Sequence, residues 1–371
     1  MTARPLRIAT IYSAEVFDDF KPSRMSILRW LRMSESLARA GHQVDMIINT
    51  PQGVVQRRDR LRFVPTSEVC WEDYDVLKLS CQRGFDTVRS QGAADHPCLV
   101  SRLANVVGDG DHTRGVHYTG VERAILWELQ EQIRAKARLV VVGTEDEKKL
   151  WHDHFGPDPE VVVIPTGVDR TIPRPRENPY AECPEKIAVY VGNLRARRGE
   201  YRVGRKRVSL LGEQATNDLL QDRLNRLGRL LKEKNIRLCA VGPGRATHLD
   251  PTAVTYLGFV DCESIWDYQY FADVGIALAF GPDQLYESSK IYYYLRGGLP
   301  VVSEASIANN FLIRETGMGL VSDFGDDRMM SEMIEASVHR SWNTEATVRY
   351  LLRAHTWDHR AACYDRFLSA L

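Results

Sequence analysis

"DRTIPRPRENPYAECPEK", residues 169–186, decides how the rest of the chain is read. Four prolines fall in it, with no helical period and no strand run, so 169–185 reads as a linker. On both sides of it, short apolar runs alternate with helical patterns. Ahead of it the strand candidates are "LRIATIYS" (6–13), "QVDMIINT" (43–50), "DVLKLSC" (75–81), "PCLVSRL" (97–103), "RLVVVGT" (138–144) and "EVVVIPT" (160–166). Val and Ile recur in them with little polar alternation, which suits parallel strands covered on both faces. Beyond the linker the alternation restarts with "KIAVYVG" (186–192), "RLCAVGP" (237–243), "VTYLGFV" (254–260), "VGIALAF" (274–280), "LPVVSEA" (299–305) and "GLVSD" (319–323).

Helix signals fill the gaps. Residues 26–40 place Ile27, Leu28, Leu31, Leu37 and Ala38 on one side and stop at Gly41. Thr119-Gly120-Val121-Glu122 has capping-box spacing ahead of a helix to about residue 136, and Thr144-Glu145-Asp146-Glu147 repeats it directly after a strand. In 217–234, Leu219, Leu220, Leu224, Leu227, Leu230 and Leu231 form one stripe among Arg and Lys. Such alternation implies right-handed crossovers and doubly wound sheets. The expected fold class is therefore α/β, with two Rossmann-like domains, 1–168 and 186–352, whose parallel sheets face an inter-domain cleft.

At 371 residues the chain is too long for one comfortable core, which agrees with two domains. Lys+Arg and Asp+Glu are both 49, so no global charge draws the chain to nucleic acid or membrane. Electrostatic recognition must then be local. The seven cysteines show no C-x-x-C spacing and fit reduced thiols. "MTARPLRIATIYS" passes from a short polar lead into a strand without a signal-peptide core, and no run approaches the roughly 18 apolar residues of a membrane span. The expected setting is cytoplasmic. Peripheral contact with the inner membrane face is open through the basic helix at 24–40, which carries Arg24, Arg29, Arg32, Arg39 and Trp30.

Several motifs, in order, resemble the retaining GT-B glycosyltransferases of the glycosyl transferases group 1 family (family 4-like). "VVVIPTGVD" (161–169) is similar to that family's "VIPNGVD", with Thr166 for the asparagine. "YVGNLRARRG" (190–199) is similar to "YVGRLxxxKG", and "AVGPG" (240–244) to "VGxG". "VTYLGFVDCESIWDYQYFADVGIAL" (254–278), "KIYYYLRGGLPVV" (290–302) and the tail "HTWDHRAACYDRFLSAL" (355–371) continue the series. Before residue 160 the likeness rests on "LARAGHQVDMII" (37–48). The resemblance implies an acceptor-binding first domain, a second domain that binds a nucleotide-diphosphate sugar, and a C-terminal helix, 353–371, packed back on the first. It also implies retaining transfer to an acceptor hydroxyl without a metal or other cofactor, a UDP- or GDP-sugar being the expected donor and the acceptor unassigned.

The site residues follow from that resemblance combined with side-chain chemistry. Stabilising charge on the departing diphosphate is the term a protein is best placed to supply. The family's phosphate-binding Arg and Lys align with Asn193 and Arg198, and Arg195 lies close enough to replace the missing arginine. Gly192 and Gly242 belong to the same nucleotide-sugar set. In "YESSKIYYYLRGGLPVVSE" (286–304), Ser288 and Ser289 open a helix whose dipole favours anions, and Lys290 adds a cation in its first turn. The family's ribose-binding glutamate aligns with Tyr293, whose hydroxyl is a weaker ribose partner. Its other glutamate aligns with Leu285, leaving Glu287 to face the sugar. In "NVVGDGDHTRGVH" (105–117), His112 is the candidate donor-sugar contact, with Asp109 and Asp111 toward the acceptor. Lys21 and Arg24, after the first strand, would meet an anionic acceptor group.

Three other readings stay open at this level. Tyr293 in place of a carboxylate fits a catalytically silent GT-B-like protein, and the fold also serves sugar epimerases. The segment 195–207 holds seven basic residues in thirteen, a patch suited to nucleic acid, although a neutral chain argues against nucleic acid as the partner.

Overall fold

The computed structural model describes residues 4–16, 25–49, 53–108, 120–194, 200–203, 206–209, 212–244, 246–261, 264–279, 281 and 284–368. The chain divides into two compact units. One takes in the described residues up to 108 with 124–170 and 355–368; the other takes in 120–123 and 171–354.

In the first unit the elements run β1 (Arg7–Val16), α1 (Met25–Arg39), β2 (Gln43–Asn49), β3 (Val55–Arg58), β4 (Leu61–Pro65), β5 (Val76–Leu79), α2 (Arg83–Ser90), β6 (Leu99–Arg102), α3 (Gly120–Lys136), β7 (Leu139–Val142), α4 (Glu145–Phe155) and β8 (Glu160–Val163). The sheet order is β3-β4-β2-β1-β5-β6-β7-β8. Every pairing is parallel except that of β3 with β4. That antiparallel pair had no counterpart in the sequence reading. Gln56, Arg57 and Arg58 are all exposed, so β3 shows no apolar run.

The second unit holds β9 (Lys186–Val191), β10 (Glu200–Val203), β11 (Lys206–Ser209), α5 (Gly212–Lys232), β12 (Ile236–Val241), β13 (Val254–Tyr256), α6 (Ile265–Tyr270), β14 (Val274–Ala277), α7 (Ser289–Arg296), β15 (Val301–Glu304), α8 (Phe311–Thr316), β16 (Gly319–Ser322), α9 (Asp327–Val338) and α10 (Thr344–Ala354). Its six-stranded sheet is parallel throughout, in the order β13-β12-β9-β14-β15-β16. The expected strand 254–260 stops at Tyr256, because Gly258 takes a left-handed turn at φ 78°. The basic segment contains an antiparallel ribbon, β10 with β11. The Pro-rich stretch joins this unit: Arg176 N donates to Asp267 Oδ1 (2.9 Å) and the Tyr180 hydroxyl to Tyr268 O (3.0 Å).

The last helix, α11 (Trp357–Leu368), returns to the first unit and packs on α1. Trp30, Leu37, Val100, Trp357 and Tyr364 form the core on that face of the first sheet, while Leu79, Phe85, Ile133 and Trp151 fill the other. The basic side of α1 is engaged within the unit. Arg32 pairs with Glu35 (2.9 Å) and Asp169 (2.7 Å), Arg39 pairs with Asp358 (2.5 Å), and Trp30 is buried with its Nε1 donating to Thr10 Oγ1 (3.0 Å). Among the described residues no helix is long and apolar enough to cross a membrane.

Candidate functional site

Open parallel sheets bind ligands beyond the carboxyl ends of their strands. On the second sheet that edge begins where β9 runs into Gly192 and β12 into Gly242. The two turns are almost in contact. Gly242 sits at φ 143°, and a Cβ there would lie 1.9 Å from Gly192 O, so only glycine fits. Backbone bonds stitch the loops: Leu194 N donates to Pro243 O (2.7 Å) and Gly242 N to Gly258 O (2.8 Å). The Tyr256 hydroxyl lies 2.9 Å from Gly242 O and 3.1 Å from Gly244 O. The result is a floor of backbone, with Phe259 beside it, 57% exposed. Asn193 is exposed at the rim.

Next along the edge is α7. Ser288 is its extended cap residue, at φ −94° and ψ 115°. Asn309 holds it in that shape, accepting from Ser288 N at 2.7 Å and donating to Ser288 O at 3.0 Å. Ser288, Ser289 and Lys290 are half-buried. The Lys290 ammonium lies 5.0 Å from the centre of the Tyr190 ring, which brings it to the strand that ends in Gly192. Gly192, Gly242 and the start of α7 therefore share one edge of one sheet.

The three tyrosines point in three directions, as 100° steps around a helix require. Tyr292, fully buried, donates to Glu287 Oε1 (2.5 Å) and so fixes that carboxylate just ahead of Ser288. Tyr294, also buried, accepts from Val191 N (2.9 Å) and lies 3.3 Å from Val189 O, tying α7 to β9. Its ring lies against Gly275 of β14, where a Cβ would approach to 2.5 Å. Tyr293 is 7% exposed, its ring 5.8 Å from the Arg296 guanidinium. Arg296 in turn lies 5.2 Å from the Trp266 ring.

The sequence reading missed a buried carboxylate at the same edge. Glu304, at the end of β15, is fully buried. It receives Arg223 at both oxygens (2.7 and 3.0 Å), Ala279 N at 2.7 Å and Gly325 N at 2.7 Å. Asp327 takes Arg223 at 3.1 Å and Arg226 at 2.8 Å. The available signal was a charge closing the apolar run "LPVVSE", since a glutamate buried there needs donors.

In the first unit, Lys21, Arg24, Asp109, Asp111 and His112 lie outside the described residues, as do Arg195 and Arg198 in the second. The described start of the 105–117 loop is clamped by two buried glutamines. Gln130 bonds Val107 at both N and O (2.8 Å each), and Gln82 bonds Ala104 N (3.0 Å) and Asn105 O (2.6 Å). Each side-chain amide thus satisfies backbone groups that lack a strand partner.

Residues 29–171 match the family model described as Glycosyltransferase Family 4. No curated protein matches the chain by sequence. Solved structures do resemble it over nearly its whole length. Sucrose-phosphate synthase from Thermosynechococcus elongatus superposes with a TM-score of 0.69 at 14% identity, over 99% of this chain and 100% of its own. The Anabaena protein HepE, solved with UDP-glucose, gives 0.69 at 13% identity over 99% and 100%. The E. coli trehalose-6-phosphate structure bound with UDP-2-fluoro glucose gives 0.66 at 10% identity over 98% and 99%. Likeness at such identities establishes the two-sheet GT-B fold.

Proposed function

We propose that this chain, which has the GT-B fold of the glycosyltransferases and matches family 4 over residues 29–171, is a retaining glycosyltransferase that uses a nucleotide-diphosphate sugar. The observation that carries the reading is the convergence on one sheet edge of Gly192, Gly242 and the Ser288-Ser289-Lys290 start of α7. The two glycines let the β9 and β12 turns close on each other and form the floor of that edge. A helix start with serine hydroxyls and a lysine suits the anionic diphosphate. Exposed Phe259 offers an apolar face beside the glycine floor for the base. Glu287, held by Tyr292 just ahead of the helix start, is assigned to the donor sugar.

In this reading the positive charge on the leaving diphosphate comes from Lys290 and Arg198, with Arg195 and Asn193 at the same loop, rather than from a metal ion. The acceptor belongs to the first unit, where Asp109, Asp111, Lys21 and Arg24 are the assigned groups, and His112 is assigned to the donor sugar. Tyr293, packed against Arg296, provides no carboxylate for the ribose, so the grip on the nucleotide rests on the diphosphate and the base.

Thermal-shift measurements with UDP, GDP, ADP and dTDP test this. One of them at about a hundred times its Kd should stabilise the second unit by about 2.7 kcal/mol. Lys290→Ala should weaken that ligand roughly ten- to a hundredfold, the range for a charge-assisted hydrogen bond. No shift with any diphosphate, or an unchanged affinity in the variant, would sink the donor-site assignment. Release of UDP or GDP from the matching sugar nucleotide then separates an enzyme from a silent binder.

A further inference from the structure

We infer that Glu304 and Asn309 are positioning residues, a two-point brace that sets the loop between β14 and α7 and thereby aims Glu287, Ser288 and Lys290 at the donor. The inference rests on the donor-site reading above. Neither residue is assigned a contact with substrate.

The loop is gripped at both ends by one segment of chain. At its start, Ala279 N donates to Glu304 Oε2 (2.7 Å). At its end, Ser288 exchanges two backbone bonds with the Asn309 side chain (2.7 and 3.0 Å). Asn310 Nδ2 links the two points by donating to Glu304 O (2.5 Å). Glu304, Asn309 and Asn310 are all buried, with at most 1% exposure.

The chemistry of Glu304 is costly unless it fixes something. A buried carboxylate must recover its lost hydration from donors, and an apolar residue would fill the space without that demand. Glu304 recovers it from Arg223 and from two backbone N–H groups that belong to different loops, at Ala279 and Gly325. Charge-assisted bonds are short and directional, so they define where Ala279 sits more tightly than packing does. Asn309 does the same for Ser288, keeping it extended as the helix begins. A small misplacement of a positioned charge is expensive at such sites.

The test is calorimetric titration of UDP, GDP, ADP and dTDP into the wild type, and of whichever binds into Glu304→Gln and Asn309→Ala. The brace predicts a Kd for the bound diphosphate about tenfold weaker in Asn309→Ala, with the stoichiometry of the wild type. A purely structural role would lower the stoichiometry, because fewer molecules are folded, and leave Kd unchanged. Glu304→Gln should behave like Asn309→Ala, and if it fails to fold the asparagine variant carries the measurement. Kd within twofold of wild type in Asn309→Ala overturns the brace. If the wild type takes up none of UDP, GDP, ADP and dTDP, the donor-site reading falls and the brace with it. If it does bind, and Lys290→Ala weakens binding while Asn309→Ala does not, the brace alone is wrong.

Discussion

Lys78 sits in the middle of β5 on the face covered by α11, 2% exposed, with its ammonium 4.8 Å from the centre of the Tyr364 ring. Burial, and then the nearby Arg102 guanidinium, push its amine down from 10.5 to about 7, with a smaller opposing effect from Cys81. Between about pH 7 and 10.5 the unfolded chain holds a proton that the folded chain has released. Stability contributed by this residue therefore rises with pH across that window and is lowest below it. Lys78→Met keeps the length of the side chain and removes the penalty. It should raise the melting temperature at pH 7 by about 5 °C, given about 2–4 °C per kcal/mol for a unit of this size. The gain should shrink toward pH 10.5. Melting curves of both proteins between about pH 6 and 10 check this, and a gap that stays constant with pH would refute it.

At the scale of elements, α7 and β14 are locked through one glycine. Gly275 leaves room for the Tyr294 ring, whose hydroxyl then reaches the β9 backbone. Gly275→Ala forces the ring away and should cost roughly 1–3 kcal/mol as an overpacking change, read by urea denaturation. A loss below about 0.5 kcal/mol would mean that the helix shifts without strain. The sequence made some elements plain and hid others for physical reasons. The Thr144 cap was legible because its chemistry is local: Thr144 Oγ1 accepts from Glu147 N (3.1 Å), and the Glu147 carboxylate accepts from Gly143 N (2.9 Å). The parallel strands were legible from their apolar runs. Tyr292, Glu304 and Asn309 were not, because their roles depend on partners brought close only by the folded sheet.

For the molecule as a whole, two alternating halves could be read because each half repeats one local rule, while their boundary is a matter of contacts. The Pro-rich stretch looked like slack chain, yet Tyr180 within it is buried against the second unit. Half of the candidate site was legible in the same uneven way. Ser288, Lys290, Gly192 and Gly242 stood out by residue type and position, whereas the tyrosines could be sorted only by the direction each one faces.

The outermost strand of the first sheet has a further consequence. β3 lies at the sheet's margin, and Gln56, Arg57 and Arg58 are exposed along it. A margin strand with open backbone groups invites a second molecule to add its own strand, and charged side chains discourage that. Replacing both arginines, as Arg57→Val and Arg58→Thr, removes the Arg58 partner of buried Glu35 (3.3 Å) but leaves its pair with Arg32, so the chain should still fold while the solution mass rises with protein concentration in light scattering. A variant that stays monodisperse would show that the arginines are not what keeps one copy of the chain from joining the next.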